Sequence, residues 1–243
     1  MPDHRPPCLA RLQIPLPQGK IVDMKKLTKK QKNDILALIE QEYGGTGPAL
    51  RFGSVWQLLV AVVLSAQTND NQVNRITEPL FKEYPDAASL CALTPEQLEP
   101  MIATCGLYKN KARNIIATAH IVQEKYGGRV PDTKEELTAL PGVGNKSANV
   151  ILAVGYGIPA LAVDTHVHRV SNRMGLTVSK TPDQTEAQLC ALIPKEKWAA
   201  AHHWLIWHGR RCCDARKPRC LSCPVGGLCP SAELLASAGE KAK

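Results

Sequence analysis

Residues 137–148 of the chain, Leu-Thr-Ala-Leu-Pro-Gly-Val-Gly-Asn-Lys-Ser-Ala, decide how it folds. Pro141, Gly142 and Gly144 are poorly tolerated inside a helix, yet apolar residues at helical spacing lead into this stretch and out of it. The pattern predicts a helix, a tight glycine hairpin and a second helix. Such a hairpin leaves backbone N–H groups unpaired at a helix N-terminus, where they can bind a phosphate without reading a base.

Lys146 lies where the second of these helices is expected to begin. Its spacing from the glycines alone favours a lysine that contacts a DNA phosphate. A second interpretation is nucleophilic catalysis, for which the amine must be neutral. Desolvation and the positive end of a helix dipole both favour a neutral amine, so the position suits that role as well.

The overall composition limits the class of protein. With 243 residues, of which 44% are hydrophobic, the chain can bury the core of one large domain or two small ones. A net charge of +8 favours a polyanionic partner or a basic tail. No apolar run reaches the length of a membrane span, and the N-terminus lacks the apolar core of a signal peptide. These features predict a cytoplasmic protein.

The remaining patterns predict helices and almost no strands. Good N-cap residues mark several helix starts, at Thr28, Ser54, Thr94 and Thr181. Residues 55–65 are apolar on nearly every face, which predicts a buried central helix. Sustained alternation of apolar and polar residues, the mark of a strand, is missing. The predicted fold class is therefore all-α.

A polar turn, residues 65–70, follows the predicted central helix. Ser65, Thr68, Asn69 and Asp70 are explained by ordinary capping of the helices on either side. Gln67 has no capping role, so it is the candidate functional residue of this turn.

Asp164 lies between apolar residues and the helix that Thr165 opens, and we expect it to be an N-cap. An N-cap aspartate can also face a reaction centre, so the two roles are compatible. His166 and His168 are two positions apart and diverge on a helix, which argues against a metal site there.

Four of the nine cysteines fall between residues 213 and 229, a density that indicates a metal or an iron–sulfur centre. Spacing alone leaves zinc and iron open, because zinc ribbons use two Cys-x2-Cys pairs and this segment has only one. Cys212 adjoins the first of the four and is expected to point away. The loop between the first two carries three positive charges for a phosphate backbone, on Arg216, Lys217 and Arg219.

Three signals together resemble the endonuclease III family of helix-hairpin-helix DNA glycosylases: the hairpin with Lys146, the motif Val163-Asp164-Thr165-His166, and the cysteine spacing. The resemblance covers about residues 25–229. It implies that Lys146 forms a Schiff base and that Asp164 assists cleavage of the N-glycosidic bond. It also implies that a [4Fe–4S] cluster is held by Cys213, Cys220, Cys223 and Cys229. DNA contacts are expected from Gln67 and Leu107, which fill the gap left by a flipped base, and from Gly142, Gly144, His166, Arg216, Lys217 and Arg219.

The same resemblance implies two helical lobes with DNA in the groove between them. The central lobe would span 48–159, and the cluster lobe 24–47 with 160–230, between flexible tails at 1–23 and 231–243. The implied function is removal of oxidised pyrimidines from duplex DNA, followed by β-elimination at the abasic site. The expected protein is a monomer that binds damaged DNA and no membrane, in the cytoplasm and nucleoid of a bacterial-type cell. The alternative is a non-catalytic helix-hairpin-helix protein with a structural cluster.

Overall fold

The computed structural model describes residues 27–232, and every regular element in that range is helical. This confirms the all-α fold. The expected flexible tail at 1–23 lies outside the described residues, as does nearly all of the one at 231–243. The α-helices of this range are α1 (Lys29–Tyr43), α2 (Val55–Ser65), α3 (Asp70–Glu83), α4 (Ala87–Cys91), α5 (Pro95–Ile102), α6 (Tyr108–Tyr126), α7 (Lys134–Thr138), α8 (Asn145–Val150), α9 (Thr165–Arg173), α10 (Pro182–Leu192) and α11 (Trp198–Arg211).

The predicted N-caps open four of these helices. Thr28 accepts a hydrogen bond from the backbone N–H of Gln31 at 3.3 Å, and the Gln31 side-chain oxygen accepts one from the backbone N–H of Thr28 at 3.0 Å. Ser54, Thr94 and Thr181 cap α2, α5 and α10 by accepting a hydrogen bond from the backbone N–H three residues on, and of these three only Thr94 also forms the reciprocal side-chain bond. Each cap satisfies a backbone N–H that the helix itself leaves unpaired.

The helix α2 is buried along almost its whole length, as its sequence predicts. Trp56 and every residue of 58–64 are at most 4% exposed. The helix packs against α3, α6 and α8, and together with α4 and α5 these helices enclose a large apolar cluster within residues 56–160. Since an all-round apolar helix is stable only in an interior, this cluster forms around α2.

A second large cluster joins α1 to the C-terminal half of the chain. Its buried residues come from α1, α9, α10 and α11, from the segment 161–163, and from Val225 and Cys229 of the cysteine loop. A small third cluster lies between the two and contains Leu58, Val62, Val150 and Ala162. The lobe boundaries given above stay a prediction.

The second helix of the hairpin, α8, is irregular at its C-terminal end. The α-helical part ends at Val150, and a π-helical turn, Ile151–Gly155, follows it directly. The wider turn lies directly on α2: a Cβ atom added to Gly155 would lie 3.0 Å from Val55 and 3.2 Å from Leu58. Only a glycine lets the backbone approach α2 this closely.

Candidate active site

The glycine hairpin between α7 and α8 lies on α6. Gly142 has φ of +79°, and a Cβ atom there would meet the Asn114 side chain at 2.9 Å, so conformation and space both require glycine. Thr118 of α6 donates a hydrogen bond to the Pro141 carbonyl at 3.1 Å. Gly144 has no neighbour within 4 Å of such a Cβ atom, which leaves its outer face open to a ligand.

The N-terminus of α8 matches the predicted phosphate site in its chemistry. Its N-cap, Gly144, makes no side-chain capping bond, so the N–H groups of the first turn have no cap from the protein. Lys146 is exposed in this first turn. Unpaired N–H groups and a nearby lysine are the groups that bind anions at helix N-termini, and phosphate binding here stays a prediction.

Asp164 is the N-cap of α9, as predicted. Its Oδ1 accepts a hydrogen bond from the backbone N–H of Val167 at 2.8 Å, and the residue is half-buried. Capping therefore fixes the carboxylate at the start of the helix and leaves it partly accessible.

Two buried polar side chains hold the extended segment that leads into Asp164. Asn149 of α8 donates from its Nδ2 to the Leu161 carbonyl at 3.1 Å. His202 of α11 donates from its Nδ1 to the next carbonyl, that of Ala162, at 2.7 Å. Side chains of α8, the helix of Lys146, and of α11 therefore form hydrogen bonds to consecutive peptide groups just before Asp164. Neither side chain is among the predicted functional residues, although a polar residue three positions after Lys146, within an apolar helix pattern, is a usable signal.

The environment of His202 keeps its ring neutral. Burial and, after it, the neighbouring His203 lower the pKa of this histidine to about 4; the two ring centroids are 5.0 Å apart. The carboxylate of Asp164 opposes this shift, whereas the charge of Lys146 adds to it. Both predicted catalytic residues therefore act electrostatically on one buried imidazole.

His166 lies one turn into α9, beside Asp164. Its Nδ1 accepts a hydrogen bond from Arg169 at 3.2 Å, and burial is the main reason why its pKa is lowered. Arg169 also donates to the carbonyls of Gly209 and Cys213, so His166 is joined to the cysteine loop. Its predicted contact with DNA stays a prediction.

Gln67 and Leu107 share an uncommon backbone conformation. They have φ of +58° and +59°, and within 27–232 no other non-glycine residue has a positive φ. Each such residue costs about 1–3 kcal/mol, and strained residues of this kind cluster at functional sites. Both are exposed, Leu107 to 58%. A Cβ atom on Gly106 would lie 3.6 Å from the Gln67 carbonyl oxygen, so the two turns are adjacent.

The cysteine-rich segment could bind a metal. The side chains of His208, Cys212 and Cys223 bring one ligand atom each to within 4.8 Å of one another. The expectation that Cys212 points away is therefore wrong: its buried thiol lies within 4.8 Å of that of Cys223 and donates a hydrogen bond to the Arg219 carbonyl at 3.8 Å. The reason is that α11 ends at Arg211, after which Cys212 leaves the helical path with ψ of −60° and φ of −124° and turns inward.

The other predicted ligands lie in the same region. The pKa of Cys220 is raised by burial and then by the charges of Cys213 and Cys223, and burial raises the pKa of Cys229 to about 11. The loop closes tightly, since a Cβ atom on Gly226 would lie 2.9 Å from the Cys220 carbonyl oxygen. A set of soft thiol donors in one closed loop fits a metal centre in chemical terms.

The basic loop after Cys213 is held from both sides. Asp214 accepts hydrogen bonds from the backbone of Arg216 and of Lys217 at 2.9 and 3.2 Å, and these bonds lower its pKa. Arg173 of α9 donates to two loop carbonyls at 2.7 Å. The side chains of Arg216, Lys217 and Arg219 are exposed and belong to none of the ion pairs found in the described part of the chain.

No helix in the described range is both long and apolar enough to cross a membrane.

Comparison with known proteins assigns the class. The family described as the HhH-GPD superfamily of base excision DNA repair proteins matches residues 60–195. This match shows that the chain, with its glycine hairpin, following lysine and capping aspartate, belongs to the class of helix-hairpin-helix DNA glycosylases.

Close relatives and solved structures narrow this class. Endonuclease III of Synechocystis is 43% identical over 86% of this chain and 96% of its own length, and that of Escherichia coli K12 is 42% identical over 84% and 96%. A trapped covalent intermediate of endonuclease III with DNA superposes with a TM-score of 0.83, at 42% identity over 86% of this chain and 98% of the other. The chain belongs to the endonuclease III family. Its activity is that of a base-excision DNA glycosylase and AP lyase.

The buried His202 predicts a specific loss of stability in acid. In the unfolded chain His202 has a pKa near the ordinary value of 6.5, whereas in the folded protein its pKa is about 4. The contribution of His202 is therefore full above pH 6.5 and is lost as the pH falls, by up to about 3 kcal/mol at pH 4. Urea unfolding across this pH range should show a shallower loss for His202→Gln than for the wild type. His120→Gln, at an exposed histidine, is the control, and an unchanged slope in His202→Gln would contradict the assignment.

Proposed function

We propose that the chain removes oxidised pyrimidines from duplex DNA and then nicks the abasic strand, with Lys146 as the nucleophile and Asp164 as its carboxylate partner. The proposal rests on the extended segment before Asp164, which Asn149 and His202 hold in place by hydrogen bonds. Asn149 ties it to the helix of Lys146, so the two candidate residues belong to one fixed arrangement beside the phosphate-binding hairpin. Fixed geometry of this kind is what bond cleavage at a bound sugar needs.

The first chemical step breaks the bond between the base and the sugar. The target nucleotide is flipped out of the stack, and Gln67 and Leu107 occupy the space that it leaves. The neutral amine of Lys146 attacks C1′ while the glycosidic electron pair leaves with the base. The carboxylate of Asp164 stabilises the positive charge that develops on the sugar and takes up the proton released by the amine.

The second step cuts the strand. The nitrogen of Lys146 forms an imine with C1′ as the sugar ring opens, which makes the protons on C2′ acidic. Loss of one such proton and departure of the 3′ phosphate oxygen form a carbon–carbon double bond, which is β-elimination.

DNA contact is assigned to the hairpin and the basic loop. The N–H groups beyond Gly142 and Gly144 bind one phosphate, and Arg216, Lys217 and Arg219 bind others further along the strand. His166, which is hydrogen-bonded to Arg169, is assigned as a further DNA contact. These contacts position the duplex and leave recognition of the lesion to the pocket that receives the flipped base.

The centre assigned to Cys213, Cys220, Cys223 and Cys229 is a [4Fe–4S] cluster. Its support is the family and the closed loop of thiols. Four metal–thiolate bonds would fix a segment with little core of its own, and so hold the basic loop against DNA. No chemical step runs through the cluster.

The nucleophile is tested by trapping. Borohydride reduction of the imine should link the wild-type protein covalently to DNA that contains thymine glycol or an abasic site. In Lys146→Gln the adduct should fall at least about 100-fold, equivalent to about 2.7 kcal/mol, while DNA affinity is nearly kept, since one phosphate contact among many is lost. Lys109→Gln removes an exposed lysine from α6 and should trap normally. Full trapping by Lys146→Gln would mean that another amine reacts, and binding by the wild type without base release would favour the non-catalytic alternative.

The carboxylate is tested by an isosteric change. Asp164→Asn keeps the N-cap, because asparagine caps helices as well as aspartate, and should therefore unfold at the wild-type temperature. Base release in single-turnover experiments should slow by about 100-fold or more because the charge facing the sugar is lost. Asp86→Asn makes the same change at the N-cap of α4 and should leave the rate unchanged. A normal rate in Asp164→Asn would leave that residue as a cap only.

The metal centre is tested by colour and metal content. Purified protein should be yellow-brown and carry about four irons per chain. Cys220→Ser should lose iron and DNA affinity together, whereas Cys212→Ser should keep both, because Cys212 is outside the assigned set. Cys190→Ser, distant in the chain, is the control. Colourless protein with one zinc that depends on Cys212 would instead indicate a single-ion site at His208, Cys212 and Cys223.

A further inference from the structure

Lys111 of α6 is a buried lysine with no acidic partner. The residue is 5% exposed, and none of the ion pairs within 27–232 includes it. Its ammonium group donates instead to three neutral oxygens: the carbonyls of Leu64 and Ala66 at 2.8 and 2.6 Å, and the Thr68 hydroxyl at 3.1 Å. Burial lowers its pKa, which shows that the ammonium is held there at a cost.

The positions of these oxygens are informative. Ala66 and Thr68 flank Gln67, so the lysine fixes the residue on each side of that strained position. The backbone N–H of Lys111 also donates to the Leu107 carbonyl at 3.1 Å. This is the ordinary backbone bond of the first turn of α6, so the ammonium holds the turn of Gln67 directly and the turn of Leu107 only through the packing of one turn on the other. The close approach of Gly106 to the Gln67 carbonyl shows independently that the turns pack on each other.

The ammonium group of Lys111 lies at the C-terminal end of α2, where a positive charge is favoured. The carbonyls at the C-terminal end of α2 carry partial negative charge and lack partners in the helix, so a cation is favoured there. A left-handed conformation at Gln67 relaxes unless its neighbours hold it. Three hydrogen bonds from a charged donor supply that restraint, and charge-assisted bonds are stronger than neutral ones.

We propose that Lys111 is a positioning residue that holds Gln67 and Leu107 as one rigid double wedge, which enters the duplex as the damaged base leaves it. This rests on the function proposed above. Lys111 is buried and does not touch DNA; it acts through the two exposed side chains. Its effect is therefore confined to the step that opens the stack, and the chemistry at the sugar does not depend on it.

The experiment compares two substrates, one that must be opened and one that is already open. Base release is measured on paired duplex with thymine glycol, and borohydride trapping is measured on a single-stranded oligonucleotide with an abasic site. Lys111→Met keeps the apolar stem and removes the ammonium. Its rate should fall at least about tenfold more on duplex than on single strand, which corresponds to about 1.4 kcal/mol. Gln67→Ala and Leu107→Ala should show the same selectivity, and Lys109→Met, an exposed lysine on the same helix, should show neither loss.

Equal losses on the two substrates, or none, would overturn the proposal, because a residue that only supports the fold lowers both rates together. If Lys111→Met does not fold, Thr68→Val removes only one of the three acceptors and should show the same selectivity with a smaller amplitude; equal losses there would count against the proposal too. Failure of the proposed function is a different result, since the wild-type protein would then release no base and trap on neither substrate. As a spectroscopic check, 2-aminopurine beside the lesion should brighten on binding to the wild type, because unstacking restores its fluorescence, and should brighten less with Lys111→Met.

Discussion

The arrangement of the site depends on two hydrogen bonds to consecutive carbonyls. Asn149 holds the carbonyl of Leu161, and His202 holds that of Ala162. Between them the extended segment before Asp164 can neither slide nor rotate, because a shift of one residue would leave two buried polar groups without partners. An unpaired buried polar group costs about 1–3 kcal/mol, so the register of the segment is strongly defined. The register sets where the carboxylate of Asp164 lies relative to α8.

Polar side chains also hold backbone carbonyls of irregular segments at other places in the fold. Lys111 binds carbonyls at the end of α2, and Arg173 binds carbonyls of the basic loop. In each case a buried or half-buried polar side chain from a well-packed helix holds an irregular piece of backbone that faces the ligand. Helices supply rigidity, and the irregular segments supply exposed N–H groups and strained turns. The division explains how a helical protein can present several precise loops to one partner.

The cysteine loop depends on the second apolar cluster in a related way. Val225 and Cys229 are buried against α1 and α9, so one end of the loop is anchored by packing. At the other end, Arg169 and Arg173 attach it to α9 by hydrogen bonds. This attachment connects the loop with the helix that Asp164 caps. A change in the loop can therefore reach Asp164 through α9.

Features that depend only on residues close together in the chain follow from the sequence alone. Ser54, Thr94 and Asp164 are caps because a short polar side chain meets N–H groups two or three residues on, and α2 is buried because it has no polar face. Tertiary structure alone decided the roles of Asn149, His202 and Lys111, since their acceptors lie at least twelve residues away in the chain. It also turned Cys212 inward, against the expectation from spacing, and placed a π-helical turn where Gly155 meets α2. Short-range patterns record local hydrogen bonds, whereas the partners of a buried polar side chain are known only when distant segments pack together.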